Sequence, residues 1–482
     1  MLTENEIKEI IDKEKSSRFQ RAAKVGQAYY DGHHDIEHYR LFYYDANGNI
    51  VEDRNRSNIK ISHPFFTELV DQLVQYMLSG EEGYIFSDIP ELQEKLDEQF
   101  NDNDDFNAEL NELLTGVAVK GSEYMYLKKD ADGKLAFEAV DSLGVAEVRA
   151  KDTSDNCDYV VMWYIDRYDK DNEPIRKIEV WDEYGTTYFI EEGSKGIRRD
   201  ENAPMNPRPH IVTVDLSDGS RYGTGFGFIP FFRLDNNKKK KSDLSLVKDL
   251  IDDYDLMSCS LSNNLQDLTE GLYVVKGFTG DSMDELIQNI RTKKMVGVAE
   301  GGDIDIKTID IPYEARKAKM ELDEKNIYRF GMGFNSAQIG DGNITNIVIK
   351  SRYVLLDLKA NKLEIRLKKF LRGLVKIFLD DINAMEGTAY DTGDIRIEFT
   401  RETITNDADN AQIELTKAQA RQADVNTILN IATGGTIDQD TALKRICEIL
   451  DIEYEEVKDK VPMNEEVDEA IGTLEEEPFS ME

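Results

Sequence analysis

The sequence predicts an α+β protein in which helices and antiparallel strands occupy separate stretches. Three observations predict it. Apolar residues recur at helical spacing through the first 120 residues and again beyond residue 242. Between Glu123 and Glu192 they alternate with polar ones, the period of strands. The turn signals Asn47-Gly48 and Asp132-Gly133 are of the kind that joins antiparallel neighbours.

The elements follow in order. "MLTENEIKEIIDKEKSSRFQ" is a charged amphipathic helix with Ile7, Ile10 and Ile11 on one face, not the pattern of a signal peptide. "RLFYYDANGNIVEDRN" reads as a hairpin, and "SHPFFTELVDQLVQYMLSG" as a helix with the stripe Phe66, Leu69, Leu73, Tyr76 and Met77, stopped at Gly80. Helices in "PELQEKLDEQF" and around Leu110–Val119 come next. They precede the hairpin "YMYLKKDADGKLAFEAV" and an aromatic meander over residues 159–192. "NAPMNPRPHIV" and "RYGTGFGFIPFFRLDNNKKKK" are irregular and read as an inter-domain passage. A helix of about 27 residues, roughly 40 Å long, begins at Ser242. Its stripe is Leu244, Val247, Ile251, Tyr254, Leu261, Leu265 and Leu268, beside a neutral patch "SCSLSNN". Residues 271–311 read as a small β-α-β-β unit: "GLYVVKGF", "SMDELIQNIRTK", "KMVGVAE" and "IDIKTIDI". Pro312 suits the first turn of a further helix. The glycine- and asparagine-rich loop "GMGFNSAQIGDGNITNIVIK" follows, then a long helix from about Asn346 to Asn383, the strand "DIRIEFTRETI" and two or three acidic helices.

Composition limits the function. The chain of 482 residues has room for two to four domains. Its net charge of −37, from 59 Lys+Arg against 96 Asp+Glu, repels phosphate and argues against a tight, sequence-reading DNA binder. Cys157, Cys259 and Cys447 are too few and scattered for a disulfide framework or a zinc knuckle, which favours a reducing compartment. No apolar run approaches the roughly 20 residues that span a bilayer, so no membrane role is expected. His34 and His38 stand four apart, but no third ligand completes a metal site, and packing is the expected role. "GTGFG" and "GMGF" complete neither a dinucleotide fingerprint nor a P-loop. No catalytic constellation, cofactor site or metal site is expected.

The middle of the chain implies an assembly. One apolar stripe does not offset the ordering of so long a helix as that from Ser242. Only the Pro312 helix is placed to pair with it. Such a pair becomes stable when copies stand side by side and bury both flanks.

The order of elements resembles the portal proteins of tailed bacteriophages of the siphovirus type. The resemblance is carried by "YYDGHHDIEHYR", "NRSNIKISHPFFTELVDQLVQYMLSG", "FFRLDNNKKKKSDLSLVKDLIDDYDLMSCSLSNNLQDL", "GLYVVKGF" and "GDGNITNIVIKSRYVLLDLKANKLE", in that order. It spans the chain to about Asn406; the C-terminal helices match only in position and acidity. The resemblance implies a portal fold. Residues 1–241 would form an α/β wing, 242–268 and 312–332 a two-helix stem, and 269–311 a clip. Residues 333–346 would be a tunnel loop, 347–406 a long helix with a wing strand, and 407–482 a crown of helices with an acidic tail. It further implies a structural, non-enzymatic protein: a dodecameric homo-oligomeric ring at one capsid vertex. Double-stranded DNA would pass through it during packaging and ejection. Its other partners would be the large terminase, later the neck and head-completion proteins, and the capsid and scaffold proteins. Its location would be the virion, after assembly in the cytoplasm of a bacterial host. The competing readings are a generic oligomeric head scaffold or adaptor, and a metal-dependent nucleic-acid enzyme with an acidic site.

Under the resemblance the loop lines a DNA channel through Asn335, Ser336, Gln338, Asp341, Asn343 and Thr345. Small neutral groups approach phosphates without gripping them, and glycines at 331, 333, 340 and 342 allow positive φ. Lys359, Lys362, Arg366 and Lys369 on the long helix either pair with acidic neighbours or form a weak DNA-facing girdle. Lys238, Lys239, Lys240 and Lys241 abut a helix N-terminus, where the macrodipole disfavours cations. They read as a solvated linker, or as a contact to DNA or to the acidic flank of an adjacent subunit.

Overall fold

The computed structural model describes residues 2–45, 47–54, 56–80, 83–130, 133–149, 157–214, 221–267, 272–279, 282, 286, 298–307, 312–335, 346–401, 407–435, 437–450, 452 and 454–458. The chain is mixed helix and sheet, as the two hydrophobic periods require. By its contacts it divides into two units: residues 1–340 with 352–403, and residues 341–351 with 404–482.

The first unit opens with α1 (Glu4–Lys15), held at its start by a Thr3–Glu6 capping box, and α2 (Arg18–Tyr30). The hairpin β1 (Phe42–Tyr44) and β2 (Ile50–Glu52) turns at Asn47-Gly48. Then come α3 (Phe65–Met77), β3 (Ile85–Ser87), α4 (Pro90–Leu96) and α5 (Asp104–Lys120). Gly121, in the left-handed region at φ 93°, ends α5.

β4 (Ser122–Lys129) and β5 (Leu135–Val140) form the expected hairpin. β6 (Val145–Arg149), β7 (Cys157–Tyr168), β8 (Pro174–Trp181) and β9 (Gly185–Glu192) form the meander, continued by β10 (Ile197–Arg199) and β11 (Arg208–Pro209), which both pair with β9. One face of this sheet carries α1: Ile7 and Ile11 pack on Val161, Trp163, Ile178 and Val180. The other face meets the three-stranded sheet of β4, β5 and β14 through Tyr124, Val145, Val160 and Trp181. β12 (Ile211–Val214) and β13 (Arg221–Thr224) form a small hairpin before β14 (Phe231–Asp235), which pairs with β4.

The helix expected from Ser242 is two pieces. Ser242 caps a 3-10 turn over Asp243–Leu246, Val247 leaves helical geometry at φ −129°, and α6 (Lys248–Asp267) starts afresh. β15 (Leu272–Phe278) pairs with β16 (Val298–Lys307). The two strands expected over 294–311 are therefore one strand, with extra residues bulged between Val298 and Asp303 and Gly301 at φ +81°. Of the helix expected between β15 and β16 only Ser282 and Leu286 are described, the Leu286 N–H donating to the Ser282 carbonyl (3.2 Å). α7 (Tyr313–Gly331) and α8 (Asn346–Glu386) follow. Of the strand expected near 394–406, the described residues hold β17 (Ile395–Ile397), paired with β3; residues 402–406 lie outside the described residues.

The main core lies where α3, α5 and α8 meet. Leu69, Leu73, Leu110, Leu113, Leu114, Leu367, Leu371 and Leu374 are all almost wholly buried there. In the second unit the described helices are α9 (Asp407–Thr433), α10 (Gln439–Leu450) and α11 (Tyr454–Val457). No described helix is long and apolar enough to cross a membrane.

Candidate functional site

α6 carries short polar side chains four residues apart at Asp255, Cys259, Asn263 and Asp267, one turn above another on a single face. The segment 57–63 lies along that face. The backbone N–H of Ser57 donates to Asp267 Oδ1 (3.2 Å), that of Ile59 to Asn263 Oδ1 (2.6 Å), that of Ile61 to Cys259 Sγ (3.1 Å) and that of His63 to Asp255 Oδ1 (3.0 Å). Extended chain advances about 6.6 Å per two residues and a helix about 6.0 Å per four residues, so every second N–H meets the next of these side chains. The neutral patch of the α6 sequence is thus the binding face for a strap.

The strap ends at a buried carboxylate. Asp255 is fully buried, with His34 Nδ1 2.6 Å from Oδ2 and His63 Nδ1 2.7 Å from Oδ1. Burial pushes this carboxyl up, but the two imidazole contacts outweigh it and hold it below the usual carboxylate range. His34 stacks on Tyr29 at 4.4 Å, and the Tyr29 hydroxyl donates to Asp252 on α6. Lys248 bridges Asp252 (2.7 Å) and Asp35 (2.6 Å). His34 therefore has the packing role its sequence context implies, though its partner is 221 residues away. Among the described residues no group of three or more His, Cys, Asp or Glu side chains could hold a metal ion. On the flank of α6 facing α7, Lys319 joins Asp253 to Asp323.

The start of the expected tunnel loop is clamped. Gln72 of α3 accepts the Phe334 N–H (2.9 Å) and donates to the Phe334 carbonyl (2.7 Å). Phe334 stacks on Tyr353 at 5.2 Å, and Asn335 is buried with its amide donating to Glu324 (2.8 Å). Gly331 and Gly333 are not at positive φ, contrary to the expectation for them. The left-handed residue is Met332, at φ 59°. The two glycines serve close approach instead: a Cβ on Gly333 would stand 2.2 Å from Leu69 Cδ2. Ser336, Gln338, Gly340, Asp341, Gly342, Asn343 and Thr345 lie outside the described residues.

The basic residues separate into groups. Lys359 is only 11 % exposed and is bound inside the chain, 2.9 Å from Asp243 and donating to the Gly331 carbonyl (3.2 Å). Lys362 and Lys369 are exposed and Arg366 half-buried, and none has an ion-pair partner among the described residues. Lys362 and Lys369 belong to a stripe of α8 that reads Val354, Leu358, Lys362, Ile365, Lys369, Arg372 and Lys376, exposed throughout. The nearby α8 carboxylates Asp357 and Glu364 are taken by Arg401. The run Lys238–Lys241 is a tight turn: Asn237 Oδ1 accepts from the N–H of Lys239 and of Lys241, both at 3.1 Å. Lys240 is left-handed (φ 50°) and lies over Phe19. The turn packs on the C-terminal end of α5, the Asn236 N–H donating to the Gly121 carbonyl (3.0 Å). Cations are favoured at that end of a helix dipole, which resolves their unfavourable place in sequence before α6.

The chain was compared with known proteins. The family described as "Phage portal protein, SPP1 Gp6-like" matches residues 8–460. The chain belongs to the phage portal proteins. It is similar to the portal protein of Bacillus phage SPP1, with 27% identity over 444 residues, 91% of this chain and 83% of that one. It is also similar to the portal protein of Clostridium phage phiCD119, with 24% identity over 398 residues, 78% of this chain and 84% of that one. Portal proteins are structural components of the phage head and not enzymes, which removes the acidic-site nuclease from consideration.

Proposed function

We propose that copies of this chain stand side by side in a closed ring, dodecameric in the virion, around a channel for double-stranded DNA at one capsid vertex. The exposed α8 stripe carries the reading. Val354, Leu358 and Ile365 offer apolar surface, and Lys362, Lys369 and Arg372 offer cations with no ion-pair partner among the described residues, to a neighbour from a chain of net charge −37. The α6 and α7 pair supports the same reading, since Leu265, Tyr313 and Leu322 are about half exposed.

In this reading residues 336–345 line the channel by position, rooted in the Gln72 clamp, and meet DNA with small neutral groups. Residues 269–311 form the clip against the large terminase, later against neck proteins. Negative-stain images of the purified full chain test the ring. The expected result is class averages with a central hole; monomers at every concentration and salt overturn it. Replacing Gln338 and Asn343 with lysine tests the lining: rings form but packaging falls, and normal packaging overturns the non-gripping role.

A further inference from the structure

A carboxylate stands in the gap between the two wing sheets with no ion-pair partner among the described residues. Glu179 on β8 is only 8 % exposed. Its register partners are Met162 on β7 and Tyr188 on β9, so it projects from the face opposite α1, toward the sheet of β4 and β5. Tyr164 donates its hydroxyl to Oε1 (3.0 Å) and Trp181 its Nε1–H to Oε2 (3.2 Å). Each oxygen keeps lone pairs after these bonds.

A cavity of about 830 Å³ opens on this carboxylate. Its wall includes Tyr126, Tyr164, Trp181 and Tyr188, and the Tyr126 and Trp181 rings meet edge to face at 5.0 Å. A second cavity of about 660 Å³ touches Tyr164, Glu179 and Tyr188 from the other side. The remaining lining carboxylates are neutralised: Glu138 by Lys128 (2.5 Å) and Asp141 by Lys120 (2.7 Å). Of the cations lining the first cavity, Lys15 stands over Trp163 and Arg176 is paired with Glu191 (3.0 Å), both on the α1 side; the second cavity carries Arg208 with Arg167 and Lys177, and the last two are both paired with Asp166. Burial raises the Glu179 carboxyl despite the hydrogen bonds it accepts. A buried carboxylate whose nearest cation, Lys177, is held by Asp166 (3.2 Å), and which is ringed by electron-rich aromatic faces, is an environment that recognises an organic cation.

We propose that this cavity binds an alkylammonium cation, the ammonium at the Glu179 carboxylate and the alkyl part on the Trp181 and tyrosine rings. The site lies within the wing and is independent of the ring. Two sources carry this chemistry: a free diamine, or a lysine side chain of another protein.

The chain's two tryptophans, Trp163 and Trp181, both line the cavity, so intrinsic fluorescence reads its occupancy. The full-length protein is titrated at constant ionic strength with putrescine and with Nα-acetyl-lysine-N-methylamide. A saturable change is expected, weakened by about tenfold in Glu179→Gln and several-fold in Tyr188→Leu, and lost on acidification as the carboxylate takes up a proton. Tighter putrescine binding identifies a free amine as the ligand; tighter binding of the lysine derivative identifies a protein side chain. No saturable change with either probe, or equal affinity in a folded Glu179→Gln protein, overturns the proposal. Should that variant fail to fold, unchanged affinity in Tyr188→Leu overturns it.

Discussion

The α3–α5–α8 core and the α6–α7 pair use the same residue types in opposite ways. In the core Leu110, Leu113, Leu367, Leu371 and Leu374 are wholly buried within one chain. In the pair Leu265, Leu322 and Tyr313 are left about half exposed, and polar contacts join the buried Ile251, Ile327 and Tyr328 in holding the helices: the strap of residues 57–63, the Asp255–His34–His63 contact and Lys319. A helix positioned by hydrogen bonds keeps its apolar surface for a partner. α8, positioned by apolar contact through Leu367, Leu371 and Leu374, keeps a second apolar face at Val354, Leu358 and Ile365.

The contrast is broken most severely at Asp255. Asp255→Ala leaves two imidazoles facing an empty buried site and is expected to lower unfolding free energy by about 3–5 kcal/mol in denaturant titration. A loss near zero would mean that α6 is held by something other than the strap and its terminus. Leu371→Ala, in the core, is expected to cost about 2–5 kcal/mol through the cavity it leaves. Gln72→Ala removes both hydrogen bonds to Phe334 and is expected to cost about 1–3 kcal/mol, with faster amide exchange at Phe334. Leu265→Ser in α6 is expected to change the stability of the dissociated chain by less than about 0.5 kcal/mol while reducing the yield of rings by size-exclusion chromatography. Equal losses for Leu371→Ala and Leu265→Ser would erase the distinction between the two regions.

A pH series sharpens the same comparison. The folded Asp255 carboxyl lies below its unfolded value, so its contribution is full above the ordinary carboxylate range and is lost as pH falls through the folded value. The stability gap between the parent chain and Asp255→Asn is therefore expected to narrow on acidification, whereas that between the parent and Leu371→Ala stays constant.

Much of this was legible from periodicity alone. Helices α1, α3, α5 and α8 and the hairpins at Asn47-Gly48 and Asp132-Gly133 follow from spacing and turn chemistry, because neighbours three, four or two residues apart determine them. The ordered series of segments was sufficient for the family. The strap was not legible, since its signal is two unremarkable patterns, alternate residues in 57–63 and every fourth residue in 255–267, that gain meaning only when laid together. The glycines of the loop root misled for a related reason. Their need is space beside Leu69, a residue 262 positions from Gly331, and not a backbone angle.

By itself, then, the chain's order of residues determined which segments are helix or strand, the surplus of negative charge and the family. Tertiary structure alone decided that Lys359 is bound within the chain while Lys362 and Lys369 have no ion-pair partner among the described residues, that Asp255 lies between two histidines, and that Glu179 faces a cavity lined by aromatic rings. The physical reason is range. Secondary structure is set by neighbours along the backbone, whereas the charge state and partners of a buried group depend on what distant segments bring within a few ångströms of it.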